Sequence, residues 1–268
     1  MNTHHSHKTP IGEQLISNYV VVTNQHLTPQ YSRIVLSPAD RTETIPYCAP
    51  GQFVQVAADA KDVLLRRPIS INDVDAESNT LTLLVRKAGR GTEAIMSRRE
   101  GDLLNLVLPL GNGFDLDIPA GSRALLVGGG VGVAPLLLLG RRLKEAGVEP
   151  VFLLGARSYD DLLELEDFEK MGEVLTATED GSHGVKGFVT AHQALAEKWD
   201  KVYVCGPAPM MKAVAAVTRQ TGSPTEVSLE NMMACGLGAC LCCVENTVRG
   251  NVCVCTEGPV FPLEMLNW

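Results

Sequence analysis

Six of the eight cysteines lie between Cys235 and Cys255, and three of them read C-x4-C-x2-C at Cys235, Cys240 and Cys243. A fourth follows after a short polar span, with Cys253 and Cys255 competing for the position. This is the spacing of a [2Fe–2S] loop, in which four thiolates hold two irons. A loop that aims several sulfurs inward needs backbone freedom, which Gly236 and Gly238 supply. Such a centre moves single electrons. Zinc is the weaker reading, because structural zinc sites pair close Cys units or recruit His, and no His lies beyond His192. A disulfide framework is weaker still, since the rest of the chain holds only Cys48 and Cys205. Cys242 adjoins Cys243, and neighbours in an extended segment point to opposite sides. It is expected to be a small buried apolar residue, not a ligand.

Three further motifs carry chemistry. Gly128-Gly129-Gly130-Val-Gly132-Val-Ala-Pro135 joins an apolar strand to a helix. Such a turn offers free N–H groups to a phosphate, here that of a nicotinamide nucleotide; a tight structural turn is the alternative. The following strand ends in Gly155-Ala-Arg157 where an acid would hold a ribose. Arg157 therefore leaves the choice between NAD and NADP open, with Asp160 and Asp161 close by. Arg66-Arg67-Pro68-Ile69-Ser70-Ile71 reads as a flavin site, with an Arg for the pyrophosphate, an apolar residue beside the ring and a Ser near the reactive nitrogen. A basic edge strand limited by Pro68 is the alternative. Gly89-Arg-Gly91-Thr92 is a second phosphate-like turn. Cys205-Gly206-Pro207 follows a strand of the second half, where substrates lie, although a buried thiol accounts for Cys205 equally simply.

The elements that must position these residues change character near Gly121. Before it, Tyr19–Thr23, Ser32–Leu36, Gln52–Ala57, Thr80–Arg86 and Leu104–Leu108 are short alternating segments between Pro and Gly turns, the pattern of an antiparallel barrel. Phe53, Gln55 and Ala57 share one face, with Val54 and Val56 on the other. After Gly121, five strands (Arg123–Val127, Val151–Leu154, Glu173–Thr178, Lys201–Val204, Thr225–Val227) alternate with helices over Ala134–Ala146, Asp160–Met171, Thr190–Ala196 and Ala208–Gln220. That alternation predicts a doubly wound parallel sheet with ligands at the carboxyl ends of its strands. The expected division is a disordered leader over 1–14, a flavin-binding barrel over 15–120, a nucleotide domain over 121–228 and a cysteine-bearing unit over 229–268. The 268 residues suffice for this. A net charge of −8 argues against nucleic acid as a partner. The sequence lacks an apolar run long enough to span a membrane, and the His4, His5 and His7 leader lacks the apolar stretch of a signal peptide. Cysteine-rich and without such a signal, the chain suits a reducing cytoplasm.

Taken together, Leu65-Arg-Arg-Pro-Ile-Ser-Ile71, Gly89–Thr92, Leu108-Pro-Leu-Gly-Asn-Gly-Phe114, Gly128–Pro135, Thr178-Glu-Asp-Gly-Ser182, Cys205–Pro207, the cysteine loop and Thr256-Glu-Gly-Pro-Val-Phe261 run in order over nearly the whole chain. In this the sequence resembles the ferredoxin–NADP reductase superfamily and, within it, the electron-transfer subunits of dihydroorotate dehydrogenase B. The resemblance implies FAD on Arg67, Pro68, Ile69, Ser70, Leu84, Val85, Arg86, Gly91 and Thr92. It implies NAD on Gly128, Gly129, Gly130, Gly132, Cys205, Gly206 and Pro207, with Cys205 near the nicotinamide. It also implies Cys255, not Cys253, as the fourth ligand beside Cys235, Cys240 and Cys243.

The implied activity is electron transfer. A nicotinamide exchanges two electrons as a hydride, an iron–sulfur cluster exchanges one, and a flavin can do both and so must stand between them. The resemblance further implies a partner subunit that carries FMN and oxidises dihydroorotate, assembled as a two-plus-two heterotetramer. No residue here looks able to deprotonate dihydroorotate. One alternative is the small subunit of a ferredoxin:NADP oxidoreductase or sulfide dehydrogenase, where an Asp can replace the first cluster ligand; Cys235 argues against it. An alternative of another class is a zinc-bearing, flavin-binding regulatory module.

Overall fold

Alternation of apolar and polar residues closes the first half of the chain on itself. In the computed structural model, which describes residues 14–268, six strands form a barrel. They are β1 (Leu15–Thr28), β2 (Tyr31–Pro38), β3 (Phe53–Val56), β4 (Arg67–Asp75), β5 (Thr80–Arg86) and β6 (Leu103–Leu110), in the closed order β1-β2-β5-β4-β3-β6. The His4, His5 and His7 leader lies outside the described residues. Val54, Val56, Leu81, Leu83 and Val85 point inward into one buried cluster, as the period of two requires. Closure leaves no unpaired edge.

Two features of this half depart from the sequence reading. Arg67–Asp75 is an interior strand of the barrel, paired on both sides. Pro68 is tolerated because pairing with β5 begins only at Ile71, so its missing N–H costs no bond on that side. The Gly89–Thr92 turn opens a helix, α1 (Arg90–Met96), whose Ile95 and Met96 are buried against the barrel core. The Thr92 hydroxyl accepts the N–H groups of Ala88 and Gly89 at 2.8 and 3.1 Å, fixing the turn.

The second half forms a sheet of seven strands. They are β7 (Arg123–Gly129), β8 (Glu149–Ala156), β9 (Glu173–Thr178), β10 (Val185–Lys186), β11 (Lys201–Cys205), β12 (Thr225–Ser228) and, from the end of the chain, β15 (Val260–Pro262). The order is β10-β9-β8-β7-β11-β12-β15, parallel except for β15. Helices α2 (Ala134–Glu145), α3 (Leu165–Glu169) and α4 (Ala208–Thr221) accompany it. Between β12 and β15 lie a small hairpin, β13 (Val244–Thr247) and β14 (Gly250–Cys253), and one helical turn, α5 (Val254–Glu257). The cysteine-bearing segment thus returns to complete the edge of the nucleotide sheet, which the sequence did not foretell.

Two expected helices are shorter than predicted. Over Asp160–Met171 the chain makes a single turn and then α3, because Glu164 takes a left-handed conformation (φ 56°) between them. Over Thr190–Ala196 there are two separate turns, split by an extended His192 whose ring Nδ1 accepts the Ala194 N–H at 3.2 Å.

Glu164 also ties the two halves together. The Asn72 side chain, from β4, donates to the Ala134 carbonyl at 3.1 Å and to Glu164 Oε2 at 2.9 Å. Burial pushes the Glu164 carboxyl up to about 7, against the opposing effects of Asn72 and Arg33. Folding therefore favours the protonated form. That contribution is full below the unfolded value of 4.5 and is lost as pH rises to about 7. Glu164→Gln keeps the shape and the acceptor for Asn72. The variant should gain on the parent as pH rises from 4.5 to about 7, by on the order of 3 kcal/mol. Thermal midpoints measured across that range check this, and parallel pH profiles would contradict it.

Candidate functional site

Two clefts open where the barrel faces the sheet. Pro68, Ile69, Ser70, Leu84, Arg86 and Thr92 all line the first, and Cys205 closes it from the sheet side. Met232 and Met233, which lead into the cysteine loop, form another wall. Val85 points into the barrel core, so only its main chain can serve a ligand. Arg67 and Gly91 adjoin this lining in sequence and meet each other: a Cβ at Gly91 would collide with Arg67 Nε. The glycine is therefore the space in which the guanidinium rests. Arg67 Nη1 donates to the Leu65 and Arg66 carbonyls at 2.8 and 3.1 Å, and the remaining N–H groups of its fork are uncommitted in the described hydrogen bonds. Arg66 is structural, since it donates to the Gln55 and Asn105 carbonyls and to the Asn105 side chain. A guanidinium with N–H groups to spare over a glycine, beside an apolar cleft, fits a flavin with its pyrophosphate.

The second cleft lies at the carboxyl ends of β7 and β11, where the chain order reverses and ligands bind in such sheets. Gly128 stands opposite Cys205 in the β7–β11 register. The glycines of the turn fall into two groups. A Cβ on Gly128 would meet Leu136 and Val133 at 2.9 Å, and one on Gly132 would meet Gly206 at 2.5 Å, so these two serve packing. Gly129 and Gly130 line the cleft, and Gly130 takes φ +55° with only the Tyr31 hydroxyl nearby. Arg157 lines the same cleft beside Asp161 and Glu179. Arg86 reaches both clefts, and Pro207 borders the second. Cys205 is 1% exposed, and burial drives its thiol well above the ordinary range. It presents a neutral thiol, not a nucleophile.

The cysteine loop is built by backbone N–H groups aimed at sulfur. Gly236 and Gly238 take φ of +72° and +78°. The Leu237 N–H donates to Cys235 Sγ at 3.3 Å, the Gly238 N–H to Cys255 Sγ at 3.2 Å and the Cys255 N–H to Cys243 Sγ at 3.4 Å. The Leu237 N–H, helped by those of Cys240 and Ala239, holds the Cys235 thiol down to about 7 against the effect of burial. Among the described residues, no three His, Cys, Asp or Glu side chains converge as one metal ion would require. Four thiols, three of whose sulfurs accept backbone N–H groups, suit two irons sharing four thiolates. Cys253 is half-buried with its thiol 4.0 Å from the Gly238 carbonyl, whereas Cys255 is buried and receives an N–H. Cys242 is exposed, contrary to its expected burial: the loop turns its side chain to solvent.

Sequence reasoning missed the seam that holds this loop to the barrel. The Asn112 N–H donates to the Gly258 carbonyl at 2.7 Å, and its side chain donates to the Thr256 and Glu257 carbonyls at 2.9 and 3.0 Å. A Cβ on Gly111 would strike Pro259 at 2.6 Å. Gly111-Asn-Gly113 was legible as a turn; its partner, far along the chain, was not. The loop region also exposes Met232 (84%) and Leu241 (65%).

Comparison with known proteins agrees with this geometry. Residues 230–267 match the model of the iron–sulfur cluster binding domain of dihydroorotate dehydrogenase B, and residues 126–216 that of the oxidoreductase NAD-binding domain. Dihydroorotate dehydrogenase B (NAD(+)), electron transfer subunit, of Shouchella clausii is 44% identical over 80% of this chain and 85% of its own length. The protein of the same name from Bacillus cereus (strain Q1) is 39% identical over 92% of this chain and 96% of its own. A solved structure of an NADH-dependent reduced ferredoxin–NADP oxidoreductase superimposes with a TM-score of 0.81 at 31% identity, covering 96% of this chain and 91% of that one. The flavohem-like FAD/NAD binding domain of Vibrio cholerae nitric oxide dioxygenase shares the fold, with a TM-score of 0.67 at 20% identity over 79% of this chain and 98% of its own. The chain belongs to the family of dihydroorotate dehydrogenase B (NAD(+)) electron transfer subunits.

Proposed function

We propose that the chain passes electrons from the FMN of a catalytic partner, through a [2Fe–2S] cluster and FAD, to NAD+, while the partner oxidises dihydroorotate in pyrimidine synthesis. The observation that carries this reading is the adjacency of the three sites. Cys205–Pro207 borders both clefts, and Phe53, which lines the first, packs in one buried cluster with Cys243 and Cys255. When bound, the flavin exchanges a hydride with the nicotinamide and single electrons with the cluster.

The residues of this chain bind and orient. Arg67 holds the flavin pyrophosphate from its place over Gly91. Ile69 and Leu84 flank the ring, and Ser70 stands near its reactive edge. Gly129 and Gly130 admit the nucleotide phosphates, and Pro207 bounds the nicotinamide. Cys205, neutral and buried, keeps water from the place where hydride passes. Asp161 and Glu179 beside Arg157 favour a ribose hydroxyl over a 2′-phosphate, hence NAD. Cys235, Cys240, Cys243 and Cys255 hold the cluster. We assign the barrel to residues 15–120, the nucleotide domain to 121–228 and the cluster unit to 229–268, which lends β15 to its neighbour's sheet. The exposed apolar residues around the loop suit a subunit contact, in a two-plus-two assembly in the cytoplasm. Among the described residues no helix is long and apolar enough to cross a membrane.

Substituting any of Cys235, Cys240, Cys243 or Cys255 by Ser should destroy or severely weaken the cluster, whereas Cys242→Ser and Cys253→Ser leave iron content and visible absorbance largely intact. Loss of the cluster in Cys253→Ser with retention in Cys255→Ser would reverse the choice of fourth ligand. Arg67→Ala and Gly91→Val should each lower flavin affinity roughly tenfold or more, the scale of a lost charge-assisted hydrogen bond. Flavin content after dialysis measures this, and parental retention by both variants would move the flavin elsewhere. The isolated chain should oxidise NADH with an artificial dye yet fail to turn over dihydroorotate with NAD+. Steady-state assays decide, and dihydroorotate turnover by this chain alone would refute the division of labour.

A further inference from the structure

Gln55 is the most anomalous polar residue of the barrel. It is 0% exposed, and neither atom of its side-chain amide has a hydrogen-bond partner among the described residues. A buried amide left unpaired costs on the order of 1–3 kcal/mol, so such a group normally has a use. Its main chain is accounted for: Gln55 stands between Pro68 of β4 and Val107 of β6, and its carbonyl accepts from Arg66 at 3.2 Å.

The location of the amide narrows its use. Val54 and Val56 face the barrel core. Gln55 lies on the opposite, outward face of β3 with Phe53. There its amide abuts the cysteine loop at Gly236: a Cβ on that glycine would lie 2.7 Å from Gln55 Nε2 and 3.1 Å from its Cδ. Gly236 directly follows Cys235, and its φ of +72° suits glycine. Two residues back along β3, Phe53 lines the first cleft. Residues i and i+2 of a strand are about 7 Å apart. Gln55 therefore stands in β3 between the flavin cleft and the cysteine loop, carrying two N–H donors that no described residue uses.

We propose that Gln55 donates a side-chain hydrogen bond to a sulfur of the bound [2Fe–2S] cluster, through the opening left by Gly236, and so raises the potential at which the cluster accepts an electron. This role rests on the assignment of the loop as a [2Fe–2S] site. Reduction adds negative charge to the cluster, and a donor aimed at sulfur stabilises the reduced form more than the oxidised one. Hydrogen bonds to sulfur are among the factors that set such potentials. A residue of the flavin barrel would thereby couple the properties of the neighbouring centre to the domain that receives its electrons.

The test is an EPR-monitored redox titration of the full chain carrying its cofactors, with iron content measured alongside. Gln55→Met keeps the length and removes the donors. It should retain iron and lower the reduced-to-oxidised ratio at fixed potential about tenfold, which is about 59 mV for one electron. Gln55→Glu is isosteric and puts an acceptor where the donor stood, so its potential should fall at least as far. Packing alone would leave the neutral, equally long Met variant unshifted. Full iron content with the parental potential in both variants overturns the role of Gln55 while leaving the cluster assignment intact. Should the variants lose iron, the parent labelled with side-chain 15N-glutamine answers instead. A 15N hyperfine coupling to the reduced cluster supports the hydrogen bond, and its absence overturns it. A parent protein without a [2Fe–2S] signal overturns the loop assignment, and the role of Gln55 with it.

Discussion

The hydrogen bonds from Asn112 to the main chain at Thr256, Glu257 and Gly258 hold the cysteine-bearing segment against the barrel, and the arrangement of redox sites depends on that seam. It works because Gly111 has no side chain where Pro259 must lie. With the seam closed, Phe53, Leu110, Cys243, Val254 and Phe261 bury one another in a single cluster. Apolar burial of this kind supplies about 25 cal/mol per Å2, while the Asn112 bonds fix the register in which it occurs. The same segment contributes β15 to the nucleotide sheet, so the cysteine unit is braced by both larger bodies.

The two clefts are set by different physics. In the sheet, the reversal of strand order brings Gly128 opposite Cys205 and opens a crevice at the ends of β7 and β11. At the barrel, a single guanidinium occupies the space that Gly91 leaves. Arg86, reaching both clefts, marks where the halves meet. Between them the Asn72–Glu164 contact closes the joint with a carboxyl whose burial holds its proton to near neutrality.

Most of this was legible where local chemistry is specific. The C-x4-C-x2-C spacing points to a cluster on its own, the Arg-Pro-x-Ser segment and the glycine turn point to ligands only in combination, and the change from period-two strands to strand–helix alternation announces the two folds. What escaped was tertiary. Glu164 breaks the expected helix ahead of α3, and Asn72, far away in sequence, bonds its carboxyl. Val260–Pro262 becomes a strand only because β12 offers an edge. Gln55 reads as an unremarkable polar residue in an alternating strand until Gly236 is seen against it.

The central claim is that one chain carries the whole path from nicotinamide to cluster. Its most direct test is rapid mixing of the partner-free protein, loaded with both cofactors, against NADH while flavin and iron–sulfur absorbance are followed separately. Cluster reduction should follow flavin reduction at a rate independent of protein concentration, as transfer within one molecule requires. A cluster that stays oxidised beside reduced flavin, or is reduced only at a rate proportional to protein concentration, would contradict the account.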